Sequence, residues 1–306
     1  MTIHKPSCYA AETFIECDQN SEALHRKLAH WNRRRLAVGE PSSSWREELA
    51  DSYQMQSAEG EMIEECRLEI AWMARQAPSD AEDFIDWFEG LKADGPGQHD
   101  PLFDWLAESA TLDDMRWFLR QEAAGEAGFD DLVAMTQIKL PTLAKLELAR
   151  NYWDEMGRGS EGGMHGPMLD RTTEGLQLNP SIETTVWQSL ALANTMTAFA
   201  ATRRYAYHSV GALGVVELTA PTRVSKVAAG LKRLGVEPKL RKYFDLHAIL
   251  DVKHSEEWNR EALRPLVRDN PHCARFLAEG ALMRLICGAR CFDVYRAHLW
   301  PSTSAA

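Results

Sequence analysis

Three polar residues share one face of a predicted helix in the last third of the chain. In the stretch YFDLHAILDVKHSEEW, His247, Asp251 and His254 stand at positions i, i+4 and i+7. This spacing puts their side chains on the same side of a helix. Phe244 and Trp258 extend the stripe by one turn at each end, so we expect the face to be buried. Two imidazoles and a carboxylate are frequent metal ligands, and the face therefore predicts a metal site.

Burial of this face requires compensation, because moving an unpaired charge out of water costs on the order of several kcal/mol. A metal ion would compensate all three side chains at once. A hydrogen-bonded His-Asp-His network with a purely structural role is the alternative. Further metal ligands must come from other segments of the chain.

Glu217 is the next candidate ligand. It is the only formally charged residue between Arg204 and Arg223. A helix that is apolar on all sides is a buried helix, and a glutamate within it needs a partner. A metal would serve, but so would an arginine from elsewhere, or a raised pKa that keeps the carboxyl neutral.

Glu155 and His165 bracket the loop EMGRGSEGGMH. Glu155 ends one predicted helix, His165 opens the next, and the glycines between them let the two ends approach closely. The pair is therefore a candidate for two more ligands. The alternative is that both side chains are exposed to solvent at the ends of an ordinary loop.

Glu122 and Glu126 stand at i and i+4 in FLRQEAAGEAGF. Like charges at this spacing repel each other, and a shared cation would remove the repulsion. Two surface glutamates on an amphipathic helix are the alternative. If only one of them is a ligand we prefer Glu122, which lies on the stripe of Trp117, Phe118 and Phe129.

The candidate set balances two divalent cations. It contains three neutral imidazoles and four carboxylates if Glu122 is the ligand of its pair. A mixed carboxylate and imidazole set suits iron or manganese better than zinc, which favours fewer ligands. We therefore expect two metal ions rather than one.

The composition is that of an ordinary globular protein. The 306 residues are 45% hydrophobic and 26% charged, with a formal net charge of -11. The negative charge disfavours binding to nucleic acid or to anionic membranes. The six cysteines form no CxxC pair, which argues against a disulfide framework or a zinc ribbon. With no signal-like start and no run of 18 apolar residues, we expect a cytoplasmic protein.

Helical periodicity dominates the chain, and no stretch alternates as a strand would, so we expect an all-α fold. Prolines and glycines in ADGPGQHDP predict an internal boundary. It divides an N-terminal helical extension, residues 1–95, from a main domain, residues 96–306.

Three helix boundaries are expected from capping and breaking residues. Residues 1–20 have weak periodicity, and Ser21 is the expected N-cap of the first helix. One helix is expected over residues 111–137, with Thr111 as its N-cap. A helical segment over residues 183–221 is expected to end at its proline, with a separate helix over residues 223–235.

The order and spacing of the candidate ligands resemble those of the haem-oxygenase-like di-iron oxidases and oxygenases, a family of iron-containing redox enzymes. That family carries H-x3-D-x2-H on a core helix, preceded by a glutamate about 30 residues upstream. Earlier come a glutamate and a histidine ten residues apart, and a glutamate on the first helix. The matching residues are His247, Asp251, His254, Glu217, Glu155, His165 and either Glu122 or Glu126. The resemblance covers roughly residues 97–298.

The resemblance implies a seven-helix haem-oxygenase-like bundle that binds two non-haem irons and activates O2. Members of the family include N-oxygenases, fatty-acid decarboxylases and amino-acid-cleaving oxidases. The implied activity is thus an O2-dependent oxidation of a small organic substrate. Ferritin-type di-iron bundles differ, because they use E-x-x-H motifs on two helices. Here only Glu22 and His25 fit that motif.

The substrate is expected in a pocket lined by the apolar helices of residues 185–216, with Tyr205, Tyr207 and His208 as candidate substrate contacts. Two alternatives stay open. One is a haem-binding or thiaminase-like protein of the same fold, and the other is a non-catalytic helical binding or scaffold protein. We expect a small-molecule substrate and no nucleic-acid partner, while a homodimer stays open.

Overall fold

The all-α prediction is confirmed. The structure is a computed structural model that describes residues 12–126 and 128–300, except for the side chains of residues 12–19 and 124–126. These residues contain no strand. The described helices are α1 (Glu12–Leu36), α2 (Trp45–Ala74), α3 (Ala81–Asp94), α4 (Pro101–Glu108), α5 (Leu112–Glu126), α6 (Phe129–Thr136), α7 (Thr142–Glu155), α8 (His165–Gly175), α9 (Trp187–Ala201), α10 (Ala206–Arg233), α11 (Pro238–Trp258), α12 (Arg264–Asp269) and α13 (Cys273–Leu299).

Helix α10 lies at the centre and packs against α4, α9, α11 and α13. Its approach to α13 is too close for side chains at two positions. A Cβ on Gly211 would come within 1.9 Å of the Leu277 carbonyl oxygen, and one on Gly280 within 2.0 Å of the His208 carbonyl oxygen. Glycine at both positions lets the two backbones meet directly.

Trp258 fixes α11 against α10. Its side chain is fully buried, and the indole Nε1–H donates to the Val210 carbonyl at 3.2 Å. The ring lies over Gly214, where a Cβ would come within 2.6 Å of Nε1. This contact turns the polar face of α11 toward the interior of the bundle.

The N-terminal helices share the core of the main bundle. Leu28 of α1, Ile63 of α2 and Phe88 of α3 are fully buried in the same hydrophobic cluster as Leu213 and Leu277. Helix α1 packs on α9, α2 on α13, and α3 on α10 and α12. The division into an extension and a main domain stays a prediction.

Three predicted helix boundaries differ from the structure. Helix α1 already extends from Glu12, so Ser21 lies inside it. Gly128 has a φ of +87° and separates α5 from α6, because a left-handed residue cannot continue a right-handed helix. The predicted segment over residues 183–221 is divided into α9 and α10 by a 3-10 turn at Arg203–Tyr205. Helix α10 then runs through Pro221, which has no N–H to donate to the Glu217 carbonyl. Core packing on both sides of that proline keeps the helix continuous.

The predicted cap at Thr111 is present. Its hydroxyl accepts from the Asp114 amide at 3.2 Å, and the Asp114 carboxylate accepts from the Thr111 amide at 2.9 Å. This reciprocal pair satisfies two amides at the start of α5. Among the helices that the structure describes, none combines the length and the apolar composition needed to cross a membrane.

Candidate metal site

The polar face of α11 is buried, as its flanking aromatic residues predicted. His247, Asp251 and His254 are 8%, 4% and 2% exposed, and Phe244 and Trp258 are buried beside them. The face points toward α10, α8 and α7. Three polar side chains therefore lie in the interior of the bundle, where they need partners.

The first group of candidate ligands combines three helices. Glu155 ends α7, His165 opens α8 and His247 lies on α11, and one ligand atom of each lies within 4.8 Å of the others. The centres of the imidazole rings of His165 and His247 are 4.5 Å apart. His247 Nδ1 lies 2.8 Å from the Tyr243 carbonyl. Donation to that carbonyl places the proton on Nδ1, so Nε2 would be the nitrogen that binds a metal.

The glycine-rich loop brings Glu155 and His165 together, as the sequence predicted. Two short 3-10 turns, Gly157–Gly159 and Glu161–Gly163, fold the loop back on itself. Gly157 has a φ of +60°, and a Cβ there would lie 2.3 Å from the Gly163 carbonyl carbon. The loop can close this tightly only with glycine at that position.

The second group consists of Glu217 on α10 with Asp251 and His254 on α11, again with ligand atoms within 4.8 Å of one another. His254 Nδ1 is 3.5 Å from Glu217 Oε2. The opposite ring nitrogen, Nε2, is 3.1 Å from Asp154 Oδ2. His254 therefore turns one nitrogen to the group and the other to an outer carboxylate.

Asn151 and Asp154 of α7 support the second group, and the sequence analysis missed both. The Asn151 amide donates to Glu217 Oε1 at 2.7 Å. Glu147, Asn151 and Glu155 are all buried at a spacing of four residues. This repeat of polar residues on one face of α7 is the signal that could have identified Asn151.

The two groups share one cavity. Glu155 and His247 of the first group line it together with Glu217 and Asp251 of the second. Its other lining residues are Phe129, Val216, Ala220, Val224 and Tyr243. A cavity with largely apolar walls on which three carboxylates and an imidazole converge is typical of a cofactor site.

The charge balance of this cavity fits cations. Glu155, Glu217 and Asp251 are buried carboxylates. Burial lowers the pKa of His254, but the hydrogen bond and negative charge of Glu217, together with Asp154, outweigh that effect and raise the pKa to about 9. A proton on His254 thus offsets part of the negative charge at neutral pH. Metal ions would offset more of it and displace that proton.

The donor atoms also fit a metal. His165 Nδ1 lies 2.6 Å from Glu155 Oε2, yet the two atoms do not form a directed hydrogen bond. Asn151 Oδ1 is likewise buried without a hydrogen-bond partner. Buried polar atoms normally have hydrogen-bond partners, and these atoms lack them although they lie close together. A bound cation would interact with their lone pairs and supply the missing partner.

Glu122 is not part of either three-residue group of the described residues. Glu122 is partly buried and accepts a hydrogen bond from the Tyr295 hydroxyl at 2.8 Å. It lines a neighbouring cavity that shares Val216 and Tyr243 with the cavity of the two groups. The side chain of Glu126 lies outside the described residues. A ligand role for either glutamate stays a prediction.

Tyr205, Tyr207 and His208 do not line the cavity of the two groups. The Tyr205 hydroxyl donates to Glu64 at 2.9 Å, and His208 Nε2 lies 2.9 Å from the buried carboxylate of Glu279. The Tyr207 hydroxyl is 3.5 Å from the Asn270 amide. Their expected contact with substrate stays a prediction.

Comparison with known proteins identifies a family. A sequence profile of a family described as iron-containing redox enzymes matches residues 116–289, more than half of the chain. The matched region includes all six residues of the two groups. No match was found among the curated proteins.

Proposed function

Because the chain belongs to the family of iron-containing redox enzymes, we propose that it is an O2-activating oxidoreductase with two non-haem irons that acts on a small organic substrate. The observation that carries the proposal is the pair of buried three-residue groups, four of whose six members line one cavity. One iron would be held by Glu155, His165 and His247. The other would be held by Glu217, Asp251 and His254, with Glu122 or Glu126 as a further ligand.

Two bound irons would supply redox chemistry with O2 that no amino-acid side chain offers. The chain contributes a mixed set of carboxylates and imidazoles that suits iron. The carboxylates also keep the net charge of the loaded site low. Burial of all six side chains limits the access of water, which protects reactive species from side reactions.

Neighbouring groups orient these side chains. The Tyr243 carbonyl sets the tautomer of His247, and the Asp154 carboxylate does the same for His254. Asn151 holds one oxygen of Glu217 by a hydrogen bond. Such outer contacts fix the direction of each ligand and raise the basicity of the imidazoles.

The test is anaerobic loading of the metal-free protein with Fe(II), followed by elemental analysis and exposure to O2. We expect about two irons per chain, since each group supplies a mixed donor set. In the presence of a suitable organic substrate, O2 consumption should depend on that iron.

Two results would favour other functions. A Soret band after reconstitution with haem would favour a haem protein of the same fold. The second result compares the wild type with a variant in which the ligand residues of both groups are replaced. Equal iron content in the two proteins would favour a helical scaffold in which the polar face is only structural.

A further inference from the structure

The outer side of α7 exposes an apolar stripe. Leu143, Leu146 and Trp153 are 45%, 54% and 54% exposed. Arg150 is exposed between them, and the spacing of three, four and three residues puts all four on one side of the helix. The stripe is about 15 Å long, because each helical residue adds about 1.5 Å. Tryptophan and arginine are among the residue types that contribute most to protein interfaces.

Cations flank this stripe. Lys139 and Lys145 are exposed, and neither forms an ion pair with any residue that the structure describes. We call these side chains together the α7 face, namely Lys139, Leu143, Lys145, Leu146, Arg150 and Trp153. In a chain with a formal net charge of -11, a surface with three cations around an apolar stripe is locally distinct.

The acidic side chains of α7 do not cancel the charge of the α7 face. Glu147 is buried and offsets the charge of Arg150, which it binds at 3.1 Å. Asp154 binds the Arg158 guanidinium at 2.6 Å. The two lysines stay unbalanced. The α7 face therefore attracts a surface that carries negative charge.

The opposite side of α7 supports the candidate metal site. The Asn151 amide donates to Glu217, Asp154 lies 3.1 Å from His254 Nε2, and Glu155 belongs to the first group. A partner bound at the α7 face would be separated from both groups by about 10 Å, the thickness of one helix.

The size and charge of the α7 face limit its partner. A stripe about 15 Å long on one helix is small beside the roughly 800 Å2 that each partner buries in a stable interface. Symmetric pairing of two copies would also bring the cations of the face close to one another. An anionic membrane is a wide surface that the net charge of -11 repels. Transient electron-transfer complexes bury less than about 1,200 Å2 in total, which suits a small acidic protein.

We propose that the α7 face docks a small acidic iron–sulfur protein that donates electrons to the metal site. The electron-donor role rests on the proposed function. In each docking event one electron passes from the reduced cluster of the partner to one Fe(III), which becomes Fe(II), and two such events reduce both irons. Docking involves only surface residues outside the two ligand groups. It can therefore be measured without metal.

The test uses oxidised plant-type [2Fe–2S] ferredoxin, a small acidic electron carrier, and measures its binding to metal-free full-length protein by calorimetry. Affinity should fall as the salt concentration rises, because opposite charges drive the docking. Lys139→Glu combined with Lys145→Glu should weaken binding about tenfold or more, since it reverses two of the three cations. Leu146→Ser should weaken it about fivefold or more, because it removes the centre of the stripe.

Matched controls make the same changes on other surfaces. Lys27→Glu combined with Lys92→Glu alters the net charge equally and uses exposed lysines of α1 and α3 that are likewise unpaired among the described residues. Leu49→Ser replaces a leucine of α2 that is 60% exposed. Both controls should bind the ferredoxin as tightly as the wild type.

Three results would overturn the proposal: no binding of the ferredoxin, binding that the variants of the α7 face leave unchanged, or an equal loss in the controls. Sedimentation and vesicle binding test the other occupants. Self-association of the protein, or its binding to phosphatidylserine vesicles, would also overturn the proposal if Leu146→Ser abolished it, because the α7 face would then serve a second copy or a membrane.

Iron-loaded protein tests the electron transfer. Reduction of the irons by reduced ferredoxin should slow in the variants of the α7 face, while reduction by dithionite should not change. A protein that takes up about two irons but binds no ferredoxin retains the proposed function and loses only this inference. Ferredoxin binding by a protein that takes up no iron would contradict the proposed function and, with it, the electron-donor role.

Discussion

Asp154 Oδ2 lies 3.1 Å from His254 Nε2, on the side of the ring opposite Glu217. The His254 imidazole therefore connects the carboxylate of Asp154, which lies outside the second group, to Glu217, which belongs to it. Asp154 also binds the Arg158 guanidinium at 2.6 Å, at the start of the loop that leads to His165. One side chain of α7 thereby supports both His254 and that loop.

Replacing Asp154 should weaken iron binding without removing any candidate ligand. In Asp154→Asn the charge that orients His254 is lost, so we expect about tenfold to hundredfold weaker binding at the second group. Titration of metal-free protein with Fe(II) under anaerobic conditions measures the change. Asp113→Asn is the control, since Asp113 is an exposed aspartate on α5 that binds Arg116. Equal iron affinity in both variants would show that Asp154 has no orienting role.

The metal-free protein should lose stability as the pH rises above neutrality. His254 has its pKa raised from 6.5 to about 9 in the folded state. Its protonated form therefore stabilises the fold fully below about pH 6.5, and this contribution disappears as the pH rises through about 9. The loss should be on the order of 3 kcal/mol, because one pKa unit corresponds to about 1.4 kcal/mol.

Urea unfolding of metal-free protein between pH 6 and pH 9.5 measures this loss. The variant His254→Gln removes the titrating group and should flatten the pH dependence over this interval. A slope of the same size in the variant would assign the effect to other residues.

The contact between α10 and α13 should tolerate no added methyl group. Alanine normally stabilises a helix by up to about 1 kcal/mol relative to glycine. In Gly280→Ala, however, the new Cβ would meet the His208 carbonyl at 2.0 Å, so we expect a loss of about 1–3 kcal/mol or more. Gly90→Ala in α3 is the control, because its Cβ would meet nothing within 4 Å. Thermal unfolding of both variants compares them, and equal melting temperatures would contradict the close packing.

Much of the candidate site could be predicted from the sequence because its signals are local. The four-residue and three-residue spacing of His247, Asp251 and His254 determines their common face in any helix. The glycines after Glu155 indicate a tight loop whatever surrounds them. Glu217 stood out because a lone carboxylate in an apolar helix requires a partner in the fold.

The missed features depend on tertiary contacts. Asn151 and Asp154 are ordinary polar helix residues until α11 packs against α7, and only then do they reach Glu217 and His254. The continuation of α10 through Pro221 likewise depends on packing that outweighs one lost hydrogen bond. The break at Gly128 was a local signal that the sequence analysis did not use.

Iron stoichiometry of variants that remove one group at a time tests the central claim most directly. Glu155→Gln with His165→Gln removes the first group, and Glu217→Gln with His254→Gln removes the second. Two controls replace buried residues of the same types elsewhere: Glu59→Gln, whose carboxylate binds Arg35, and His25→Gln, whose ring stacks on Trp187.

After anaerobic Fe(II) loading, elemental analysis should find about two irons in the wild type and in both controls. Each double variant should keep about one iron, and the combination of both double variants should keep none. Iron content that is the same in the wild type and in the combined variant would contradict the assignment of these six side chains as metal ligands.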